Sequence, residues 1–262
     1  MRNIRISQSL IKELNKEGCQ LAVKKMLEGE RSEPTEAMLN GLYFEHYLIG
    51  GTRGGEVPEF KPLKNGNKPK AELDLIDLID KSKELLTAND IKIDEVQPEY
   101  IYEDVVAHLD AVGSVRGEKC LIDIKWTGTR EDDKWNGWGE PLMKEDAHIQ
   151  AKHYVWTYMM ATGQHLPFYF IVFGKSGWCK LIRFNCEQSA LQEHESVINE
   201  ARANIKQMIK DKFPYKAHLG LCSKCWYKKT CKSFSNHLEI ESFDLGNDLF
   251  FIENDYKQSK RD

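Results

Sequence analysis

The sequence has no run of eighteen apolar residues, so we expect no helix of the chain to span a membrane. Its first residues, MRNIRISQSLIKELNKEG, lack the apolar segment and the small-residue cleavage site of a secretory signal, and we therefore expect a cytoplasmic protein. A large excess of positive charge is absent too, because the formal net charge is -4. This charge argues against a uniformly basic surface, but not against local basic patches that attract a phosphate backbone.

Length and composition are ordinary for a globular protein. A chain of 262 residues, 41% hydrophobic and 30% charged, is long enough to bury a full core as one large domain or two small ones. The seven cysteines are an odd number, and three of them fall within ten residues near the end of the chain. In a reducing compartment this clustering favours a metal site over disulfide bonds.

The hydrophobic pattern predicts helices at both ends of the chain and strands in the middle. The predicted helices cover residues 7–28, 35–49, 72–87, 143–162 and 187–210. The predicted strands lie in IYEDVVAHLDAVGSV, EKCLIDIKW, FYFIVFG and WCKLIRF, whereas residues 50–70 are rich in Gly, Pro and Lys and indicate a surface loop. We see no internal repeat. This order of elements predicts an α/β or α+β fold in which a mixed sheet is flanked by helices.

The most informative stretch is HLDAVGSVRGEKCLIDIKW. Asp123 and Lys125 share one face of the second strand, because side chains alternate across a strand. If Arg116 and Gly117 form a two-residue hairpin loop, counting back from the turn places Asp110 directly opposite Asp123. Directly opposed side chains point to the same face with Cβ atoms roughly 5 Å apart, where two carboxylates repel each other unless a cation lies between them.

Such a carboxylate pair with a lysine beside it suits metal-dependent hydrolysis of a phosphodiester. Oxygen ligands are those that Mg²⁺ or Mn²⁺ prefers, and the metal acidifies its water and neutralises charge on the phosphorus oxygens. Lys125 would orient or deprotonate the attacking water. The alternative interpretation is a solvated Asp–Lys face on an exposed antiparallel strand.

The pattern of Asp110 followed by Asp123-Ile124-Lys125 resembles the signature of PD-(D/E)xK nucleases, and more narrowly that of the RecB-like nucleases. The resemblance implies a restriction-endonuclease-like core. It also makes GLYFEHYL similar to the family's G-x-x-x-(H/E) helix, so that Glu45 would be a further metal ligand. His46 is the alternative, but a hard cation prefers carboxylate oxygen, and its side chain points about 100° away on the helix.

A second helix adds to the resemblance. Gln150 and Tyr154 match the family's Q-x-x-x-Y motif, and residues four apart lie on one helix face, so both side chains would approach the catalytic centre. The resemblance covers most of residues 7–235. We expect one nuclease domain over residues 1–236 and an acidic C-terminal tail over residues 237–262.

The cysteine spacing is specific as well. Cys222-x₂-Cys225-x₅-Cys231 is similar to the C-terminal triplet of the iron–sulfur subclass of RecB-like nucleases, which includes AddB and CRISPR-associated exonucleases. In that subclass a fourth cysteine lies far upstream, where Cys19 stands here, although Cys19 is followed by Gln rather than by the frequent proline. The resemblance implies a [4Fe–4S] cluster that joins the N-terminal helix to residues 218–236.

A structural zinc site is the alternative for this metal. Its ligands would be the same three C-terminal cysteines together with His218 or His237. The other cysteines, Cys120, Cys179 and Cys186, lie in or next to predicted strands and are expected to be small buried core residues.

Two kinds of side chain are candidates for contacts with DNA. The lysines fall in two clusters, Lys61, Lys64, Lys68 and Lys70 and then Lys224, Lys228, Lys229 and Lys232; they would follow a phosphate backbone or would simply be solvated. The tryptophans after the catalytic strand are Trp126, Trp135 and Trp138; they would stack on unpaired bases or close an edge of the core.

We therefore expect a Mg²⁺- or Mn²⁺-dependent deoxyribonuclease. The resemblance implies an exonuclease that acts on single-stranded DNA or DNA ends in recombination, repair, phage replication or CRISPR adaptation, with protein partners from those pathways. The competing hypothesis is a catalytically inactive DNA-binding or assembly module with a structural metal site. A pure binding module has no need of a catalytic triad, so the presence of Asp110, Asp123 and Lys125 favours the nuclease.

Overall fold

The computed structural model describes residues 4–15, 20–52, 55–57, 59–131, 138–140, 145–213, 222 and 225–231. The helices in these ranges are α1 (Gln8–Leu14), α2 (Leu21–Leu27), α3 (Glu36–Ile49), α4 (Lys70–Ala88), α5 (Glu145–Thr162) and α6 (Gln188–Lys210). The strands are β1 (Ile91–Val96), β2 (Glu99–Tyr102), β3 (Val105–His108), β4 (Ala111–Val115), β5 (Glu118–Thr127), β6 (Phe168–Gly174) and β7 (Cys179–Phe184). A short 3₁₀ turn covers Lys228–Thr230.

A five-stranded sheet in the order β1-β4-β5-β6-β7 forms the centre of the fold. Its neighbouring strands are antiparallel except β5 and β6, which are parallel. Parallel neighbours need a long crossover connection, and α5 lies within the connection between these two strands. β2 and β3 pair in a separate two-stranded sheet. The mixed five-stranded sheet with helices around it confirms the expected α/β architecture.

The central sheet carries a hydrophobic core on each face. One core contains Val112, Leu121 and Phe170 of the sheet and packs against α1, α5 and α6. The other core contains Ile122 and Ile171, which directly follow Leu121 and Phe170 and so point to the opposite face, and it packs against α3 and α4. This alternation is what a sheet covered on both sides requires, and it assigns the odd-numbered residues of β5 to the α5 side.

Local sequence explains where the helices on either side begin and end. Ser7 accepts a hydrogen bond from the backbone N–H of Leu10, and Thr35 accepts one from Met38, so that both residues cap their helices. Gly50, with φ 85°, ends α3 in the left-handed conformation that favours glycine. The predicted helices 35–49, 72–87, 143–162 and 187–210 are confirmed to within two residues at each end.

One prediction about secondary structure was wrong. The single helix expected over residues 7–28 is two helices, because α1 ends at Leu14 and α2 begins only at Leu21. The run IYEDVVAHLDAVGSV contains β2, β3 and β4, and a turn with positive φ at Glu103 separates the first two. β1 was missed altogether, since its residues IKIDEV are mostly exposed and carry little apolar signal.

Of the three cysteines that were expected to be buried, two are buried and one is exposed. Cys120 is fully buried in β5, and Cys186 is buried just after β7. Cys179 is exposed, which corrects the prediction, because it begins β7, the edge strand of the sheet as far as the structure describes it. No helix in the described ranges is long and apolar enough to cross a bilayer. The predicted acidic tail, residues 237–262, lies outside the described residues, so the predicted domain boundary stays a prediction.

Candidate active site

The β4–β5 hairpin has the two-residue loop expected from its sequence. Val115 pairs with Glu118, and the ladder continues without a bulge to Ala111 opposite Ile122. Arg116 and Gly117 both have positive φ, at 52° and 81°, which is the geometry of the tight turn that matches the twist of paired strands. Asp110 immediately precedes the first ladder residue, Ala111, so it enters the hairpin at the level of Asp123.

Asp110 is held against the second strand by a hydrogen bond. Its Oδ2 accepts the backbone N–H of Ile124 at 2.6 Å, and the residue is only 1% exposed. Ile124 stands between Asp123 and Lys125, so the bond places the Asp110 carboxylate at the centre of the predicted catalytic stretch. A hydrogen bond from a buried amide to a carboxylate is among the stronger ones in proteins, which fixes this side chain firmly.

Asp123 is equally buried and its charge is compensated by side chains. Lys125 Nζ forms an ion pair with Asp123 Oδ1, and Gln150 Nε2 donates a hydrogen bond to Asp123 Oδ2. The ammonium of Lys125 also lies 5.6 Å from the centre of the Phe170 ring, within the range of a cation–π interaction. The Lys125 side chain is 33% exposed, whereas the Asp123 side chain is only 1% exposed.

α5 brings the predicted Q-x-x-x-Y residues to the same face of the sheet. Gln150 contacts Asp123 directly, while Tyr154, one turn further along, packs its ring edge-on against Phe168, with centroids 5.9 Å apart. Both residues are buried. The geometry therefore joins Asp110, Asp123, Lys125 and Gln150 on the α5 side of the sheet and places Tyr154 in the core next to them.

Glu45 lies on α3, which packs against the other face of the sheet. It is 7% exposed, and its Oε1 accepts a hydrogen bond of 2.9 Å from Gln97 Nε2. The backbone N–H of Gln97 in turn donates to the carbonyl of Asp110 at 2.8 Å. Gln97 thus joins the α3 carboxylate to the residue that begins the hairpin. Sequence reasoning missed Gln97, because it lies between β1 and β2 in a stretch that carried no recognised motif.

His46, the alternative to Glu45, has a different environment. Its Nδ1 lies 2.7 Å from the carbonyl oxygen of Gly51, and its ring packs edge-on against Tyr47. The imidazole therefore contacts the chain that follows α3, whereas Glu45 contacts Gln97. Which of the two residues is the helix ligand stays a prediction.

A pair of buried histidines, which sequence reasoning also missed, joins α5 to α6 and to β3. His153 Nε2 lies 2.9 Å from the carbonyl of Val106, and His153 Nδ1 lies 3.2 Å from His194 Nε2 on α6. Because a carbonyl only accepts, the neutral His153 donates through Nε2 and accepts from His194 through Nδ1. Burial lowers the pKa of His153 from 6.5 to about 4 and that of His194 to about 3, so both rings are neutral at pH 7.

The donor set around the hairpin is chemically suited to a hard divalent cation, since Glu45, Asp110 and Asp123 offer only carboxylate oxygens. Asp110, just before β4, and Asp123 of β5 are both buried carboxylates, and a cation between them would offset their repulsion. Even so, no three His, Cys, Asp or Glu side chains in the described part of the chain already surround one point as a metal shell. The structure assembles two carboxylates with Lys125 and holds the third through Gln97.

The C-terminal cysteines are placed differently. Cys222 and Cys231 are buried and Cys225 is half-buried, but within the described ranges these three thiols do not form a group that could hold a metal. Cys19, with His218 and His237 of the zinc alternative, lies outside the described residues. The iron–sulfur cluster and the zinc site both stay predictions.

Side-chain contacts nevertheless place this segment beside the N-terminal helices. Lys25 of α2 lies 5.5 Å from the centre of the Tyr227 ring, and Lys229 forms an exposed ion pair with Glu33 at 3.6 Å. α2 begins two residues after Cys19. The fold therefore brings the described end of the cysteine segment close to α2.

Several side chains that were expected to contact DNA make contacts within the protein instead. Trp138 is buried in the core against Phe170, which favours the structural interpretation for that residue, and Trp126 packs partly against the α3–α4 core. Lys68 and Lys70 form ion pairs with Glu72 and Asp74 on α4. Trp135, Lys224 and Lys232 lie outside the described residues.

No family model matches this chain, and no curated protein matches it in sequence. Among solved structures, the chain is similar to a candidate exonuclease from Eubacterium rectale, with a TM-score of 0.61 and 17% identity over 93% of this chain and 92% of that one. It also matches an alkaline exonuclease from Laribacter hongkongensis, with a TM-score of 0.48 and 15% identity over 80% of this chain and 94% of that one. The first of these likenesses shows that the two chains share a fold.

Proposed function

We propose that this chain is a metal-dependent deoxyribonuclease that hydrolyses phosphodiester bonds. The observation that carries the proposal is the hydrogen bond from the Ile124 amide to Asp110, which draws one buried carboxylate onto the strand segment that carries Asp123 and Lys125. Two buried acids and a partly exposed lysine on one sheet face have no evident structural purpose, because an apolar trio would pack there at lower cost. The fold shared with a candidate exonuclease also supports a nuclease function.

Glu45, Asp110 and Asp123 would hold Mg²⁺ or Mn²⁺, as the resemblance to PD-(D/E)xK nucleases implies. The cation, when bound, supplies Lewis-acid stabilisation and lowers the pKa of water. Lys125 would hold the attacking water by hydrogen bonding and stabilise negative charge on the phosphate oxygens, since its side chain is partly exposed beside the buried Asp123. Gln150 keeps the Asp123 carboxylate in a fixed orientation, and Tyr154 supports the helix turn that presents Gln150.

We further propose an exonuclease that acts on single-stranded DNA or DNA ends, with a place in recombination, repair, phage replication or CRISPR adaptation. This narrower proposal rests on the resemblance to RecB-like nucleases. A [4Fe–4S] cluster held by Cys19, Cys222, Cys225 and Cys231 belongs to the same proposal, with structural Zn²⁺ as the alternative. Its support is the cysteine spacing and the contacts of residues 225–231 with α2.

The test is degradation of end-labelled single-stranded DNA with Mg²⁺ or Mn²⁺, compared between the parent chain and Asp123→Ala and Lys125→Ala. Both variants are expected to lose cleavage while DNA binding, followed by fluorescence anisotropy, persists. Lys119→Ala is a matched control, because Lys119 is an exposed lysine on the same face of β5 at its other end. Cleavage that survives both substitutions would contradict the proposal.

If the chain is instead a DNA-binding or assembly module, the opposite result is expected: the parent chain binds DNA and leaves it intact with either cation. Running linear and circular single-stranded DNA side by side separates dependence on ends from internal cutting, since an exonuclease leaves the circle untouched.

A further inference from the structure

Gln97 makes one polar contact with each of two candidate metal-ligand residues. Its side-chain amide donates to the Glu45 carboxylate at Oε1, 2.9 Å away, and its backbone N–H donates to the backbone carbonyl of Asp110 at 2.8 Å. Glu45 belongs to α3 and Asp110 to the connection between β3 and β4. Gln97 therefore connects the side chain of Glu45 to the backbone at Asp110.

The chain after α3 is shaped to leave room for this connection. Gly51 has φ 86°, and a Cβ atom added to it would lie 2.5 Å from both Cδ and Oε1 of Gln97. Only glycine meets both requirements, since other residues rarely adopt this backbone conformation and their side chains would displace the amide. His46 Nδ1 lies 2.7 Å from the Gly51 carbonyl oxygen, so His46 helps to hold the loop against Gln97.

The backbone of Gln97 itself is held in a conformation that glutamine rarely adopts. Its φ is 51°, in the left-handed region, between strands β1 and β2. A non-glycine residue remains there only when surrounding contacts determine its position. The backbone bond to Asp110 and the side-chain bond to Glu45 are such contacts, and together they leave the amide little freedom to turn away.

We propose that Gln97 is a positioning residue that holds the Glu45 carboxylate toward Asp110 and thereby raises the affinity of the site for a divalent cation. The inference rests on the proposed function, because it takes Glu45 and Asp110 as ligands. Groups that hydrogen-bond to metal ligands orient them, and their removal typically weakens metal binding about 10- to 100-fold. Gln97 touches neither the scissile group nor, in the proposal, the metal.

The experiment measures Mn²⁺ binding to the 262-residue chain by isothermal titration calorimetry without DNA, so that the result does not depend on catalysis. Gln97→Met keeps the length of the side chain and the backbone bond to Asp110 but removes the amide donor. The expected result is a Kd for Mn²⁺ about ten-fold higher or more, with the melting temperature close to that of the parent chain.

Gln207→Met is the matched control. Gln207 also donates to a carboxylate, Asp211 Oδ2 at 2.8 Å, but on the exposed C-terminal end of α6. Its substitution is expected to leave the Kd for Mn²⁺ unchanged. Gln97→Asn provides a second variant, since it keeps an amide but shortens its reach to Glu45, and the same weakening is expected if the methionine variant does not fold.

An unchanged Kd in a folded Gln97 variant would overturn the inference. If Asp123→Asn abolishes Mn²⁺ binding in the same titration while the Gln97 variants bind normally, the proposed metal site stands and only the role of Gln97 is lost. If the parent chain binds no Mn²⁺, the positioning role fails together with the metal site on which it rests.

Discussion

The hairpin with Asp110, Asp123 and Lys125 and the segment with Cys222, Cys225 and Cys231 differ in what positions their side chains. In the hairpin, a backbone ladder fixes the register from Val115–Glu118 to Ala111–Ile122, and two buried cores cover the sheet. In the cysteine segment, the described residues are connected by short backbone turns, such as the bond from Cys225 N–H to the Cys222 carbonyl at 3.2 Å, and by local contacts such as that between the rings of Trp226 and Tyr227. The register of a sheet therefore positions the hairpin acids, whereas no strand pairing positions the three cysteines in the described ranges.

That difference suggests two kinds of dependence on metal. A site whose carboxylates are fixed by a sheet is expected to keep its shape with or without a cation. A segment whose thiols are separate is expected to gain its order from the metal itself, because metal binding and folding are then coupled. Each of the following predictions tests one side of this contrast.

The largest effect is expected at Asp110. Asp110→Asn keeps an oxygen that accepts from the Ile124 amide but removes the charge, so DNA cleavage should fall by about 10³-fold, equivalent to about 4 kcal/mol, while stability changes little. Asp110→Ala leaves that buried N–H without its acceptor and should also lower the free energy of unfolding by about 1–3 kcal/mol. Rates on labelled DNA and urea denaturation measure the two. Equal loss of stability in both variants would contradict a charge-specific role.

In the cysteine segment the expected effect is on metal content. The chain purified without oxygen should be brown and contain about four irons, and Cys225→Ala should reduce the iron to near zero. Cys179→Ala is the matched control, because Cys179 is an exposed cysteine on β7 that no proposed site uses. Iron analysis and the visible absorption spectrum provide the measurement. Stoichiometric zinc in place of iron would favour the alternative site.

A smaller effect is expected from pH, through the histidine pair that supports α5. Burial lowers the pKa of His153 to about 4 and that of His194 to about 3, so the unfolded chain binds more protons than the folded chain between those values and 6.5. Stability should therefore fall as the pH is lowered from 6.5 toward 4. His194→Gln should flatten this dependence, as measured by urea denaturation at several pH values. A slope that is the same in the variant would show that other groups cause it.

The same contrast explains how much could be predicted from the sequence. Alternation across β5 and the Arg116-Gly117 turn are local signals, and they gave the register that places Asp110 beside Asp123. Spacing along one helix similarly placed Gln150 and Tyr154 on one face of α5, where Gln150 donates to Asp123 and Tyr154 packs against Phe168. These predictions succeeded because hairpins and helices translate sequence distance directly into spatial distance.

Predictions failed where contacts between residues far apart in the sequence determine the structure. Gln97 contacts Glu45, 52 positions away, through a side chain that belongs to no pattern. The His153–His194 pair joins two helices in the same way, and the exposed strand β1 is held by its partner β4 rather than by its own hydrophobicity. The cysteine spacing indicates a metal, but spacing alone does not bring thiols from the two ends of a chain together.

The central claim is that Asp110 and Asp123 share a divalent cation. The most direct measurement is a crystal grown with Mn²⁺, with anomalous scattering recorded to locate the ion. The account predicts one anomalous peak in contact with carboxylate oxygens of both residues, near Glu45 and beside the Lys125 ammonium. Mn²⁺ bound only elsewhere, with Lys125 still paired to an Asp123 that contacts no ion, would contradict it.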